Sequence, residues 1–456
     1  MILALTCLLL LRPVGDLEAS RPAAKPESTV RLEVRWHNGW RNERNHDAVW
    51  VVLRDPADPT GPTLRLDPGE HETHKVTGSP QARVVVPADG VGAFVEPIVQ
   101  HRGEVEWALE LTLADGVTVP ERIEAWAVEM VYVPGGAFEI GDDAPGVVRK
   151  GALRASGGGP LELTSEASLA VGTAEGAVHY DAGRTPQYIG DGAGPVPAAF
   201  PKGTRAFYVM KYELSQGQYA RFLNALPSEW RDARAPLGLE GEETETCTIA
   251  AQGASYVATA PRRPCNFVTW SDTAAWTDWM GLRPMTELEF EKAARGPRRP
   301  VPADFPWGTS SRSEVERKVL PTRDLAAATR ADEALLTDAT RARLAASYYW
   351  IHDLSGSLWE RVVSIGHPRG RAFEGTHGDG RLADGRATNS DWPRQDERDA
   401  PGIGYRGGAD YFGGEPNETN PFSCVGTRQY AAWSGAYRYK TYSARAVRTA
   451  PTEGDN

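Results

Sequence analysis

The feature of this chain that most limits its fold is a series of short alternating segments in its first third. Apolar and polar residues alternate in TVRLEVRW (29–36), DAVWVVLRD (47–55), GEVEWALELTL (103–113) and RIEAWAVEMVYV (122–133). Turn-forming sequences such as DPADPTGP and ADG lie between these segments. Because alternation with a period of two places side chains on opposite faces of a strand, the pattern predicts β-structure and no long helix. We assign residues 27–128 to an immunoglobulin-like, all-β sandwich domain.

The rest of the chain predicts a second domain that is rich in loops. The length of 456 residues exceeds the ~250 to 300 residues at which a single hydrophobic core stops growing. The 47 glycines and 34 prolines are roughly 18% of the residues, above an average of roughly 12%. Within this region the Ala-rich and charge-rich stretch 322–346 predicts an inserted surface helix.

Three further segments carry helix signals. Ser215 is placed to cap a helix in SQGQYARFLNAL. A second helix is expected to begin at Ser271 or Asp272, in SDTAAWTDW. Thr286 and Glu289 form a capping box at the start of TELEFEKAARG. These helices are amphipathic, so we expect them to pack on a sheet.

The net charge and the first residues bear on where the protein acts. With 61 acidic and 50 basic residues the formal charge is -11, which gives no compositional support for a nucleic-acid or anionic-membrane footprint. The opening run MILALTCLLLL is apolar but shorter than the ~20 residues that cross a bilayer. We therefore interpret residues 1–19 as a signal peptide and expect a secreted or periplasmic protein without a membrane span.

Three cysteines remain once the signal peptide is removed. Cys247 and Cys265 would close a short loop, so in an oxidising compartment we expect them to form a disulfide. Cys424 is then left as a single thiol.

Seven separated segments, in order, resemble the sulfatase-modifying-factor family, whose best-known members are formylglycine-generating enzymes. The resemblance covers about 70% of the chain and implies an α+β fold, a C-type-lectin-like domain over residues 129–451. The segments are MVYVPGGAFEIG (130–141), FYVMKYELSQGQYARFLN (207–224), CNFVTWSDTAAWTDWMGLRPMTELEFEKAARG (265–296), FPWG (305–308), DLSGSLWERV (353–362), GYRGG (404–408) and ARAVRTAP (444–451).

The resemblance also implies a copper site, which this sequence matches only in part. Formylglycine-generating enzymes hold Cu(I) with two cysteines near the end of the chain, and thiolates suit that soft ion. Cys424 and Arg428 match the second half of the family motif, so Cys424 is the candidate catalytic residue. Phe412 stands where the first cysteine is expected, and Ala409 replaces the family serine. One thiolate cannot supply two sulfur ligands, so the sequence leaves open whether the protein is an enzyme.

A calcium loop is implied by the segment DLSGSLWE. In the family this segment resembles a Ca²⁺ site built from side-chain and backbone oxygens. The matching positions are Asp353, the carbonyls of Gly356 and Leu358, and Glu360. Hard oxygen ligands with two carboxylates, around a glycine that permits a tight turn, suit Ca²⁺.

The sequence is compatible with two functions. The first is an exported, non-catalytic binding or structural module, stabilised by Ca²⁺, that recognises a protein or glycan surface. The second is a divergent formylglycine-generating oxidase that converts a substrate cysteine with copper and oxygen. The two functions require different residues in the C-terminal region.

The C-terminal region contains a tyrosine-rich segment typical of recognition surfaces. Six of the 15 tyrosines fall between residues 405 and 442, mixed with glycine, serine and arginine. Tyr411, Arg428, Tyr437 and Tyr439 are the candidate ligand-binding residues. The alternative is that the tyrosines are core residues of an aromatic-rich domain.

Overall fold

A computed structural model describes most of the chain. The described residues are 18–19, 23–24, 28–75, 78–144, 151–182, 185–316, 325, 337–394, 396, 398–409 and 424–452. Tyr411 and Phe412, nearly all of the predicted signal peptide and much of the predicted insertion 322–346 lie outside these residues.

The first third of the chain is built from strands, as its alternation predicts. These strands are β1 (Glu18–Ala19), β2 (Ala23–Ala24), β3 (Thr29–Arg41), β4 (Asp47–Arg54), β5 (Leu66–Lys75), β6 (Ala82–Val85), β7 (Ala93–Pro97), β8 (His101–Leu113) and β9 (Glu124–Val133).

The rest combines short strands with short helices. The strands are β10 (Phe138–Ile140), β11 (Arg154–Ala155), β12 (Leu161–Leu163), β13 (Val178–His179), β14 (Phe207–Met210), β15 (Ile249–Gln252), β16 (Ser255–Ala258), β17 (Arg283–Pro284), β18 (Trp359–Val363), β19 (Leu382–Ala383), β20 (Arg386–Ala387), β21 (Ile403–Arg406), β22 (Tyr442–Ala444) and β23 (Ala446–Thr449). The helices are α1 (Pro186–Ile189), α2 (Gln216–Ala225), α3 (Ser228–Arg234), α4 (Glu242–Thr246), α5 (Trp270–Trp279), α6 (Glu287–Arg295), α7 (Asp338–Arg343) and α8 (Pro368–Arg371).

The expectation of a mixed α/β protein is confirmed, with many strands and few helices. The lectin-like fold and the N-terminal sandwich remain predictions. None of the described helices is both long and apolar enough to cross a bilayer.

Two large sheets organise the N-terminal strands. One contains β1, β3, β8 and β5 in that order, with β2 also paired to β3. The other has the order β17-β23-β14-β9-β4-β7-β6. Side chains from the two sheets share a core, in which Leu32 and Trp36 of β3 pack with Val49 and Val51 of β4. The alternation in the sequence therefore corresponds to the inward-facing residues of these sheets.

The seven-stranded sheet contains strands from both predicted domains. Strand β9 pairs with β4 on one side and with β14 on the other, both antiparallel. The predicted boundary between residues 128 and 129 falls inside β9. The division into two domains stays a prediction, but the backbone hydrogen bonds of one sheet cross the proposed boundary.

Helices cover the other face of that sheet. Every residue of β4 is buried, because Val49 and Val51 face the first sheet while Trp50 and Val52 face a second core. Residues of α2 and α5, including Trp276, contribute to this second core. Strand β4 therefore departs from the expected alternation: a central strand between two apolar layers explains its unbroken hydrophobic run AVWVVL.

The helix signals are largely confirmed. Ser215 caps α2, and Thr286 with Glu289 forms the capping box of α6. Helix α5 begins slightly earlier than expected, because its cap is Thr269. Thr269 Oγ1 accepts a hydrogen bond from the Asp272 N–H at 2.9 Å, while the Asp272 carboxylate accepts one from the Thr269 N–H at 2.8 Å. Of the predicted insertion, the described helical part is α7.

Candidate functional site

The predicted calcium loop lies immediately before β18 and has an unusual backbone. Asp353, Gly356 and Ser357 all have positive φ values, of 64°, 82° and 58°. Such values are rare for residues other than glycine, and they often mark functional sites. The loop is buried, with Asp353 2% exposed and Glu360, at the start of β18, fully buried.

A third carboxylate, from Glu213, lies against this loop. The Ser357 hydroxyl donates to Glu213 Oε2 at 2.6 Å, and the Leu358 N–H donates to Glu213 Oε1 at 3.1 Å. Burial raises the pKa of Glu213 well above its usual value, and the charges of Asp353 and Glu360 raise it further. The sequence prediction missed Glu213 because it lies far upstream, although it is part of the family-like segment 207–224.

One guanidinium partly balances this negative charge. Arg445 Nε donates to Glu360 Oε1 at 2.9 Å. Burial raises the pKa of Glu360, and Arg445 opposes that rise. The second oxygen, Glu360 Oε2, is buried and has no hydrogen-bond partner among the described residues. A buried carboxylate oxygen without a partner, next to two more carboxylates, fits a divalent cation with oxygen ligands.

The candidate catalytic thiol lies in a poor environment for a thiolate. Cys424 is 5% exposed and packs in an apolar cluster with Phe305 and Trp307. Burial raises the pKa of Cys424 to about 12, with further contributions from the charges of Asp142 and Asp304. The thiolate is the form that binds copper or attacks a substrate. Among the described residues of this cluster Cys424 is the only thiol, so they supply one of the two sulfur ligands that a two-thiolate copper site needs.

Arg428, predicted to bind a ligand, is instead fully buried. Its Nε and Nη2 donate to the two oxygens of Glu287 at 2.6 and 2.9 Å, and its Nη1 donates to the Gly151 carbonyl at 2.7 Å. Arg406 Nη1 also donates to Glu287, at 3.1 Å. Burial alone would raise the pKa of Glu287, but Arg428 and Arg406 outweigh it and lower that pKa. In this structure Arg428 connects internal segments and does not face a surface site.

The other candidate ligand residues lie on an aromatic surface. Tyr437 and Tyr439 are 39% and 38% exposed, and their ring centroids are 6.3 Å apart. Both rings approach half-buried Tyr442, at 5.7 and 5.3 Å. We call these three tyrosines the aromatic patch. Tyr411, the remaining predicted member, lies outside the described residues.

A buried arginine supports the aromatic patch from below. The Arg361 guanidinium lies 5.4 Å from the Tyr442 ring centroid, and Arg361 Nη2 donates to the Tyr437 carbonyl at 3.0 Å. Arg361 Nε donates to the Tyr405 hydroxyl at 3.1 Å. Tyr405 is only 1% exposed, so it is a core residue, as the alternative interpretation of the tyrosines expects. The segment thus combines packing tyrosines with exposed ones.

Cys247 and Cys265, predicted to form a disulfide, are free thiols in this structure. Both are buried in one hydrophobic core cluster. Burial raises the pKa of Cys265 well above its usual value, and the proximity of Cys247 contributes to the shift. The disulfide therefore stays a prediction. Peptide mapping of the exported protein without reduction checks it: a linked peptide pair is expected, and alkylation of both native thiols would contradict it.

Comparison with known proteins identifies the family. Residues 118–406, more than half of the chain, match the family described as "Sulfatase-modifying factor enzyme 1-like domain". The chain belongs to this family, as the sequence motifs predict.

Two individual proteins are also similar. A "Formylglycine-generating enzyme" from Thermomonospora curvata is 28% identical over 112 residues, which are 23% of this chain and 35% of that enzyme. The match thus spans about a third of the relative's length. Among solved structures, "Treponema denticola variable protein 1" aligns with 71% of this chain and 96% of its own, with a TM-score of 0.33 and 11% identity.

Proposed function

We propose that this protein is an exported, non-catalytic binding module on a Ca²⁺-stabilised scaffold of the sulfatase-modifying-factor family. The observation that carries the proposal is the aromatic patch, in which Tyr437 and Tyr439 are exposed above a buried arginine. Tyrosine offers a large contact area with little loss of conformational entropy on binding. The partner is a glycan or a protein surface. Export rests on the apolar run at the start of the sequence.

The surroundings of Cys424 support a non-catalytic role. A thiol with a pKa of about 12 is almost entirely protonated at neutral pH. Two neighbouring carboxylates, Asp142 and Asp304, disfavour its ionisation further. Arg428, the other residue that matches the family motif, is occupied by Glu287 and Gly151.

Calcium in this proposal has a structural role. Asp353 and Glu360 would supply carboxylate oxygens, and Gly356 and Leu358 would supply backbone carbonyls. The ion would neutralise buried negative charge that Arg445 balances only in part. It would thereby hold in place the loop that leads into β18.

The aromatic patch is tested by alanine substitutions at Tyr437 and Tyr439. Binding of the wild type to a glycan array and to a panel of cell-surface proteins is compared with each variant, and Leu237→Ala serves as an exposed apolar control. We expect each tyrosine variant to lose at least roughly tenfold in affinity, about 1.4 kcal/mol, with its melting temperature nearly unchanged. A loss of stability of ~3 to 5 kcal/mol would show instead that these rings are packing residues.

The second candidate function is a divergent formylglycine-generating oxidase. The spacing of Cys424 and Arg428, which matches the family motif, favours it. Peptides with the family's Cys-x-Pro-x-Arg pattern, incubated with the protein, copper and oxygen, separate the two functions by mass spectrometry. We expect no conversion of cysteine to the aldehyde. Turnover that Cys424→Ser abolishes would falsify the non-catalytic proposal.

A further inference from the structure

A cleft apart from the sites above lies where four elements meet. It is bounded by β9, α2, the β15–β16 hairpin and the C-terminal end of α5, and its volume is about 270 Å³. None of its lining residues belongs to the calcium loop or the aromatic patch. Val257 lines the cleft and is 41% exposed, so the cleft is open to solvent.

Apolar side chains form most of the cleft. Trp126, Trp276, Ala220 and Met280 line it, and each is at most 4% exposed. An apolar cavity of ~150 Å³ can hold a benzene molecule. A cleft of about 270 Å³ therefore has room for one ring and a short polar arm.

The cleft also contains a cation that is partly removed from water. The Arg221 guanidinium lies 3.5 Å from the Trp126 ring centroid, and Arg221 Nη2 donates to the Ala125 carbonyl at 2.8 Å. Burial lowers the pKa of Arg221 to about 10, and the charge of Glu124 only partly opposes this. Within the part of the chain that the structure describes, no carboxylate lies within salt-bridge distance of Arg221. A desolvated guanidinium in this position favours an anionic ligand.

A buried hydrogen-bond donor belongs to the same wall. Trp126 is 4% exposed, and its indole N–H has no hydrogen-bond partner among the described residues. Because a buried donor without a partner destabilises the protein, a ligand acceptor at this N–H would be favoured. Nearby Asn224 is already occupied, because its amide exchanges two hydrogen bonds with the backbone of Tyr256.

We propose that this cleft binds a small carboxylate that carries one apolar ring, such as an aryl-acetate. The ring lies among Trp126, Trp276 and Met280, and the carboxylate accepts hydrogen bonds from Arg221 and from the Trp126 indole. A free small molecule is favoured over a longer partner because the volume suits a single ring with its acid group. This site does not depend on the proposed function of the aromatic patch.

The test is isothermal titration calorimetry of the full-length protein. The two ligands are phenylacetate and its neutral isostere phenylacetamide. We expect saturable binding of the acid and at least roughly tenfold weaker binding of the amide, a difference of about 1.4 kcal/mol. Equal affinity for acid and amide, or no saturable binding of phenylacetate, benzoate or indole-3-acetate, would overturn the proposal. This comparison uses the wild type, so it does not depend on the folding of any variant.

Two variants assign the binding to the named residues. Arg221→Gln should weaken phenylacetate at least roughly tenfold, and Trp126→Phe, which keeps a ring but lacks the N–H, should weaken it several-fold. Arg299→Gln is the matched control, because the Arg299 side chain is 79% exposed and does not line the cleft, and this variant should bind phenylacetate like the wild type. Undiminished binding by a folded Arg221→Gln variant would contradict the site. A peptide that ends in phenylalanine is a further probe. If it binds much more tightly than phenylacetate, the ligand is a peptide C-terminus and the proposal of a free small molecule is overturned.

Discussion

At the scale of single residues, buried arginines connect segments that regular structure does not. Arg54 is 2% exposed, and its guanidinium donates to the carbonyls of Trp279, Gly61 and Gly380 at 2.9, 2.7 and 3.0 Å. Irregular backbone leaves carbonyls without ladder partners, and buried carbonyls must be satisfied. Arginine suits this role because one side chain carries five donors. The loop-rich composition and the number of fully buried arginines therefore have a common physical reason.

The strongest example is the carboxylate of Glu287, which pairs with two buried arginines. Replacement by glutamine would leave the charges of Arg428 and Arg406 without this partner in a dry interior. We expect Glu287→Gln to lower the free energy of unfolding by ~3 to 5 kcal/mol. Urea unfolding followed by tryptophan fluorescence measures this change. The control is Glu316→Gln at the exposed pair with Arg343, which should leave the midpoint nearly unchanged.

A buried carboxylate in the N-terminal region predicts a loss of stability in acid. Burial alone would raise the pKa of Glu96, but a hydrogen bond and charge from His46, a hydrogen bond from Tyr208 and the charge of Arg83 outweigh it and hold that pKa at about 2. A depressed folded-state pKa stabilises the protein above the unfolded value of about 4.5, and the contribution is lost as pH falls towards 2.

This dependence can be measured by comparing the wild type with Glu96→Gln. Between pH 6 and pH 3, the wild type should lose about 2 kcal/mol more stability than the variant, which has no carboxylate to protonate. Denaturant titrations at pH 6, 4.5 and 3 provide the comparison. Parallel pH profiles for the two proteins would show that Glu96 titrates normally in the folded state.

The sequence predicted part of the candidate site at this scale. Asp353 and Glu360 are close in sequence, and in the structure both are buried and the charge of Asp353 acts on Glu360. Their role as Ca²⁺ ligands stays a prediction. Glu213 could not be paired with them, because local spacing contains no information on contacts between distant segments. Arg428 was predicted to bind a ligand because it matches the family motif. A motif shows which residue is present but not where its side chain points.

At the scale of elements, signals contained within a few residues were the most reliable. The capping box of α6 needs only Thr286 and Glu289, and the structure has both of its hydrogen bonds. By contrast, β18 pairs in parallel with β22 and antiparallel with β21. These three strands are 3 to 5 residues long and distant from one another in sequence. Short strands of this kind have too little periodicity to be found from the sequence alone.

The calcium loop is the element whose stability should depend most on a ligand. If only the folded state binds Ca²⁺, a concentration ~100 times the dissociation constant adds roughly 2.7 kcal/mol to the stability. Addition of a chelator should therefore lower the melting temperature of the wild type. Glu360→Gln removes a proposed ligand, so its melting temperature should respond little to the same chelator.

Differential scanning calorimetry with and without chelator makes this measurement. Glu316→Gln, an exposed acid substitution, should respond like the wild type. An identical response in Glu360→Gln would place the ion elsewhere, and no response in the wild type would argue against a resident calcium ion.

At the scale of the whole molecule, the seven-stranded sheet spans the predicted domain boundary. The sequence pattern indicates that β4 and β9 are strands, but not which strands lie beside them. Two contacts of Trp50 in β4 also join the N-terminal strands to later parts of the chain. The Trp50 indole N–H donates to the Met280 carbonyl at 2.7 Å, and the Arg448 guanidinium lies 4.5 Å from the Trp50 ring centroid. One side chain of β4 thus contacts segments more than two hundred residues away.

This arrangement predicts that the described chain unfolds as one cooperative unit. Removal of the Trp50 ring would leave a cavity against α5 and β23, and we expect Trp50→Ala to cost ~3 to 5 kcal/mol. Because the sheet is continuous, calorimetry should show a single transition that moves as a whole to lower temperature. Limited proteolysis between β8 and β9 should likewise release no stable C-terminal fragment. Two separate transitions, with only the first displaced by Trp50→Ala, would show that the N-terminal strands fold independently despite the shared sheet.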